Sequence, residues 1–262
     1  MNTIHYVSRS GIKPKSIRIE LQNLEFKNWC SLKQKGKGVA LFKQCTSINK
    51  KIQQLDGLTD SEYKDYIKMV GNVAPVRGIQ GRSKDGNRCR HCPTTETYTV
   101  ETLPHVLGHC PHGSLLRNIR HNRIRSIIAE EFRTKSYEVY EEVTATADND
   151  SIRRSDIIVL DRGKNKAYII DPTIRFETDE NQPDEIHQEK NKIYLPTVSF
   201  YKEHYKIDNF EVYGFLIGAR GTIPTNLVNF WKKINSDQKK LYIIAITALK
   251  HSSIILRNHL YS

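Results

Sequence analysis

The stretch "RRSDIIVLDRGKNKAYIIDPTIRFE", from Arg153 to Glu177, constrains the fold more than any other. Its two short apolar runs, rich in Ile and Val and joined by a tight basic turn, bury best as neighbouring strands of one sheet. Asp156 opens "DIIVL" and Asp171 closes "AYIID", with fourteen residues between them. A hairpin turned near Gly163 therefore brings both carboxylates to the same end of the sheet. A purely structural hairpin does not require charge there.

The flanking segments extend the pattern. "SLLRNIRHNRIRSIIAEEF" predicts a helix that Ser114 can cap, with an apolar stripe of Leu115, Leu116, Ile119, Ile127 and Ile128 and an opposite face of Arg117, Arg120, His121, Arg123 and Arg125. "YEVYEEVTA" predicts a strand before the hairpin. A helix from about Pro183 to Tyr194, the strand "FEVYGFLIG" and helices from about Thr225 and Asp237 follow it. The order is α-β-β-β-α-β with further helix, a mixed α/β fold.

On the helix after the hairpin, His187, Lys190 and Tyr194 share a face. If it packs on the hairpin end, a lysine joins two aspartates. Phosphodiester hydrolysis uses that set: carboxylates hold Mg²⁺ or Mn²⁺, and a cation assists the water or the phosphate. Glu131 is a candidate third carboxylate. The plainer reading makes Asp156 and Asp171 exposed strand-end residues, Lys190 one solvated charge, and Glu131 a surface glutamate.

From Cys89 to His112 apolar periodicity gives way to Cys, His, Thr and Pro, too little for a hydrophobic core. Cys89 and Cys92 form a C-x2-C pair, followed by His105 and Cys110, a ligand set for one closed tetrahedral zinc site. His91, His109 and His112 leave the set open, with His105 favoured over His109. Cys30 and Cys45 have no partners at ligand spacing and read as ordinary thiols. The first eighty residues carry one clear helix signal, the capping box "TDSE" from Thr59, followed by Tyr63, Tyr66, Ile67 and Val70 at helical spacing.

The chain has 41 Lys and Arg against 29 Asp and Glu, a net charge of +12 over 262 residues. That excess suits a polyanionic partner, nucleic acid first. The N-terminal stretch has no continuous apolar core of the kind a secretory leader needs, the longest apolar run, "LYIIAITAL", is too short to span a bilayer, and five cysteines, an odd number, suggest reduced or metal-bound thiols. A soluble, intracellular protein with no membrane partner is expected.

The segments "WCSLKQKGKGVALF", "VAPVRGIQGR", "ETLPHVLGHCPHG", "RHNRIRSIIAE", "RRSDIIVLD", "YIIDPTIRFE", "HQEKNKIY" and "GFLIGARGTIP" run in order over about residues 20 to 255. Together they resemble the C-terminal part of insect-type, site-specific non-LTR retrotransposon polyproteins, which carry a restriction-like endonuclease after their reverse transcriptase. The resemblance implies an accessory helical segment (1–80), a CCHC zinc knuckle (81–113) and a PD-(D/E)xK nuclease domain (114–262). It maps the zinc ligands to Cys89, Cys92, His105 and Cys110, and the metal-binding aspartates to Asp156 and Asp171. The displaced lysine maps to Lys190, and the tyrosine one turn later to Tyr194. Its implied setting is the nucleus, with target DNA, the element's RNA and a reverse transcriptase domain as partners. Ser155 stands where the family usually has proline, and the loop between Cys92 and His105 is longer than usual. No Tyr-x-Asp-Asp polymerase motif occurs.

The expected activity is Mg²⁺-dependent nicking of DNA, with Arg117, Arg120, Arg123, Arg125 and Arg154 holding phosphates or forming only a solvated face. An idle, zinc-stabilised DNA-binding remnant would bind without cutting, and a junction nuclease would prefer branched DNA.

Overall fold

The computed structural model of the protein describes residues 14–54, 56–84, 86–93 and 98–262, so most of the N-terminal stretch read for a leader lies outside the described residues. In chain order the elements are α1 (Pro14–Ser31), α2 (Thr46–Gln53), α3 (Asp60–Val70), α4 (Leu103–Gly108), α5 (Ser114–Arg133), β1 (Glu138–Thr146), β2 (Ile152–Asp161), β3 (Lys166–Arg175), α6 (Gln182–Tyr194), α7 (Val198–Tyr205), β4 (Asn209–Gly218), α8 (Thr225–Lys233) and α9 (Gln238–Tyr261). The fold is mixed α/β with one four-stranded sheet in the order β1-β2-β3-β4. β1, β2 and β3 form an antiparallel meander, and β4 returns parallel to β3 after the α6–α7 crossover.

The β2–β3 turn closes near Gly163, where Asp161 Oδ1 accepts from Lys164 N at 3.2 Å and Asn165 takes a left-handed φ of 48°. Local chemistry also starts α3: Thr59 Oγ1 accepts from Glu62 N at 3.3 Å, and Glu62 Oε2 accepts from Thr59 N at 2.8 Å. The buried side chains of α3 are Tyr66 and Met69, however, and Ile67 is exposed.

One sheet face packs Ile157, Val159, Ile170, Phe215 and Ile217 against Ile124, Ile128 and Phe132 of α5 and Leu241, Ile244 and Ala248 of α9. The same core takes in Ile48, Ile52, Tyr66 and Met69 from the accessory segment and Leu103, Val106 and Leu107 beside the cysteines. The other face packs Ile158, Leu160 and Ile169 against Tyr194, Tyr201 and Tyr205. Among the described residues, no helix is long and apolar enough to cross a membrane.

α5 corrects the expected stripe. Leu115 is 69% exposed and Ile119 44% exposed, whereas the buried face carries Arg120, Ile124, Ile128, Ala129, Glu131 and Phe132. Packing against α9 selects the Arg120–Ile124–Ile128 row, and a long guanidinium can be buried if its head is hydrogen-bonded. Arg120 donates to Ser252 Oγ at 2.8 Å and to the Leu107 carbonyl at 3.0 Å.

Candidate active site and metal centre

The two aspartates flank a fork in the sheet. β2 pairs with β3 only as far as Ile157↔Ile170, one step short of Asp156 and Asp171. Beyond that step β2 continues beside β1, and β3 beside β4, so the sheet parts where the carboxylates sit. Both strands run further than their apolar runs, which places each aspartate inside a strand rather than at its end.

β2 is also irregular there. Pairing with β1 skips Glu142 and Asp156, and Glu142 takes a left-handed φ of 55°. Ser155 and Ile158 consequently both face the α6–α7 layer, which unbroken alternation forbids: Ser155 Oγ lies 3.0 Å from Tyr201 Oη, and Ile158 packs in the tyrosine cluster. This irregularity frees Asp156 to turn towards α5, where His121 Nε2 approaches its Oδ2 at 3.3 Å.

Asp171 is 4% exposed and fully engaged. Its Oδ2 accepts from Tyr194 Oη at 2.8 Å and from Lys190 Nζ at 3.0 Å, and its Oδ1 accepts from Thr173 Oγ1 at 3.0 Å. Burial first, then the charge and hydrogen bond of Asp171 and the charge of Asp156, push the Tyr194 phenol well above its ordinary range. Tyr194 therefore stays protonated and acts as a donor.

Gly214 makes the lysine's approach possible. It pairs with Asp171 across β3 and β4, and a Cβ there would lie 2.5 Å from Lys190 Cγ and 2.9 Å from the Ile186 carbonyl. Only glycine lets α6 lie this close to the strand beside the carboxylate. His187 faces elsewhere, with its Nε2 3.0 Å from the Asn191 side-chain amide. Glu131 is buried but, among the described residues, belongs to no cluster that could share an ion.

The arginines do not form one phosphate-binding face. Arg120 is internal, Arg117 donates to the Cys110 carbonyl at 2.6 Å, and Arg125 pairs with Glu141 at 3.0 Å and with Glu142 at 2.5 Å. Arg123 is exposed, and Arg154, with a 64% exposed side chain, makes a 3.5 Å contact to Glu142.

Cys89, Cys92, His105 and Cys110 converge, with one ligand atom from each lying within 4.8 Å of the others. Cys89 and Cys92 come from a knuckle tied by the Arg88↔Val100 bridge, His105 from α4, capped by Thr102, and Cys110 from just beyond that helix. Cys89 Sγ lies 3.8 Å from Cys110 Sγ, and Cys92 Sγ lies 3.4 Å from His105 Nε2. Tetrahedral ligands ~2.3 Å (S) and ~2.0 Å (N) from one ion would be about 3.8 and 3.5 Å apart, so the cluster fits a metal such as zinc. Burial, then the neighbouring Cys89 and Cys110, push the Cys92 thiol up to about 12, a cost that a bound cation relieves.

A second group, Cys89, Glu101 and His259, shares one thiolate with the first. Fully buried Glu101 accepts from Arg90 Nε at 2.9 Å and Nη2 at 2.8 Å, from the Arg90 amide at 3.0 Å and from the Arg77 amide at 2.9 Å, and contacts His259 Nε2 at 3.1 Å. His91 and His112 also serve this junction: they stack at 3.8 Å, and His91 Nε2 lies 2.8 Å from the His259 carbonyl. Exposed His109 belongs to neither group. Free Cys30 and Cys45 are both half-buried.

Two findings concern kinship. No protein-family profile matches the chain. A segment of 167 residues, 62% of the chain, is 28% identical to the Retrovirus-related Pol polyprotein from type-1 retrotransposable element R2 of Popillia japonica. The match spans 33% of that polyprotein's length.

Proposed function

We propose that this chain is the zinc-knuckle and endonuclease region of a non-LTR retrotransposon polyprotein and nicks target DNA in the nucleus with a divalent ion. The observation that carries the reading is the forked sheet, which holds Asp171 under Lys190 and Tyr194 with Asp156 one step beyond the last β2–β3 pair. That arrangement suits a PD-(D/E)xK core, and kinship to a Pol polyprotein supports DNA as substrate and a reverse transcriptase and the element's RNA as partners. The segments 1–80, 81–113 and 114–262 would then be its accessory, zinc and nuclease parts.

Two hard carboxylates suit Mg²⁺ or Mn²⁺, which keeps waters and substrate oxygens as its other ligands. Such an ion supplies Lewis acidity and lowers the pKa of a bound water. The chain's own residues do the rest. Lys190 brings positive charge to the fork, Tyr194 donates to and orients Asp171, and His121 holds Asp156 from the opposite side. Exposed Arg123 and Arg154 bind backbone phosphates.

Supercoiled plasmid incubated with the purified chain should become nicked with added Mg²⁺ and remain intact without it, and Asp171→Ala should leave it intact in both. A second reading, a remnant that binds DNA without cutting, draws on the 3.0 Å Lys190–Asp171 pair, which neutralises the carboxylate internally. DNA bound but never cut under any Mg²⁺ or Mn²⁺ condition would establish that reading instead.

A further inference from the structure

A cavity of about 1070 Å³ lies between α1, α2 and α3, and its described lining includes neither the two aspartates of the fork nor the cysteines of the metal centre. Arg18, Lys43 and Lys50 line it, and among the described residues no carboxylate does. Phe26, Trp29 and Phe42 line it as well, each half-buried. Lys43 Nζ sits 3.9 Å from the Phe26 ring centroid, and the Phe26 and Trp29 rings stand at 80° to one another. Trp29 Nε1 donates to the Lys35 carbonyl at 3.0 Å, which pins the indole by its edge. The side-chain amides of Gln22 and Gln53 add donors and acceptors at the wall.

We propose that this groove binds single-stranded DNA, with the aromatic rings stacking on unpaired bases and Arg18, Lys43 and Lys50 holding the backbone. Cations interleaved with aromatic faces are the chemistry of sequence-tolerant single-strand binding, because every unpaired base offers a ring face and every nucleotide a phosphate. A duplex offers only the phosphates, since its base faces are covered. An acidic peptide would match the charge but leave the rings unused. The groove also adjoins the forked sheet: Leu41, next to Phe42, packs with Leu216 on Ile186, one turn before Lys190 on α6. The identity of the strand as DNA rests on the nuclease reading; its single-stranded character rests on the groove alone.

The test uses the full chain carrying Asp171→Ala, without Mg²⁺, so binding is read whether or not the chain cuts. A labelled thymidine oligomer of about 12 nucleotides should bind and quench tryptophan emission, a length within the range of known single-strand sites. Trp231 is 0% exposed, so the quenching reports Trp29. Lys43→Glu with Lys50→Glu, both at exposed positions, should weaken the oligomer by about tenfold or more while changing affinity for a matched duplex by less than about twofold. Equal losses for oligomer and duplex, no loss for either, or binding without quenching would overturn the proposal. Tighter binding of a uridine RNA oligomer would overturn its assignment to DNA, and equal competition by polyglutamate would overturn its nucleic-acid character.

Discussion

Asp171 shows how one residue's neighbours determine what its replacement would reveal. The carboxylate is almost fully buried and has three side-chain donors, of which Lys190 alone is charged. Lys190→Met removes the compensating charge, and a buried carboxylate stripped of its partner costs about 3 kcal/mol or more. Its melting temperature should fall in metal-free buffer and recover with added Mg²⁺ by more than the parent gains, while cleavage drops by roughly 100-fold or more. Equal Mg²⁺-induced shifts in variant and parent would show that no ion sits beside Asp171. Arg120 and Arg123 separate in the same way. Arg120→Glu puts an uncompensated charge in the core and should destabilise the chain by more than about 3 kcal/mol in denaturant unfolding. Arg123→Glu, at an exposed position, should stay within about 0.5 kcal/mol of the parent yet reduce the salt slope of DNA binding.

At the scale of elements, the approach of α6 to β4 decides whether Lys190 reaches Asp171, and Gly214 sets that approach. Gly214→Ala must push the Lys190 stem or the helix backbone aside, at a cost of about 1–3 kcal/mol. Cleavage should fall while the zinc content and the far-ultraviolet spectrum stay unchanged; full activity would mean that α6 can shift without consequence. The α6 helix, the strands and their order were legible from periodicity because each buries a regular apolar face. The fork was not. Its outer strand segments, such as Ile152, Arg153 and Arg154, are exposed and polar, so the apolar run at "DIIVL" marks only the half of β2 covered on both faces. α1 was missed because its apolar residues form no single stripe, with Ile19, Leu21 and Leu24 exposed, and α2 because only Ile48 and Ile52 mark it. α7 was hidden behind Pro196, which sits inside the 3₁₀ turn Leu195–Thr197 rather than ending helical structure. The Cys/His cluster was readable from spacing alone, whereas its link to Glu101 and His259 was not, because 157 residues of chain lie between the two partners of a contact that only tertiary packing creates. His121 was visible on the basic face of α5, but nothing in the spacing distinguished it from the arginines around it.

At the scale of the whole molecule, the Cys/His segment is joined to the C-terminal helix by a buried polar junction. Arg90 Nη1 donates to the Leu260 carbonyl at 3.1 Å, and Glu101 bridges Arg90 and His259. The end of α9 and the cysteine cluster should therefore come apart together. Burial acts to raise the Glu101 pKa, but the hydrogen bonds from His259, Arg90 and the Arg77 amide outweigh it and hold the carboxyl well below the usual carboxylate range. A carboxyl whose folded pKa is depressed contributes its full stability above the unfolded value, about 4.3, and loses it as the pH falls towards the folded one. Glu101→Gln keeps the shape and removes the charge. Its melting temperature should lie below the parent's at pH 6 to 7, and the gap should narrow steadily as the pH is lowered below about 4.3. At neutral pH the same variant should surrender zinc to a chromogenic chelator faster than the parent, because a loosened Arg90 and His259 free the knuckle that carries Cys89. A melting-temperature gap independent of pH would show that Glu101 acts through packing alone, and unchanged zinc release would show that α9 does not brace the cysteine cluster.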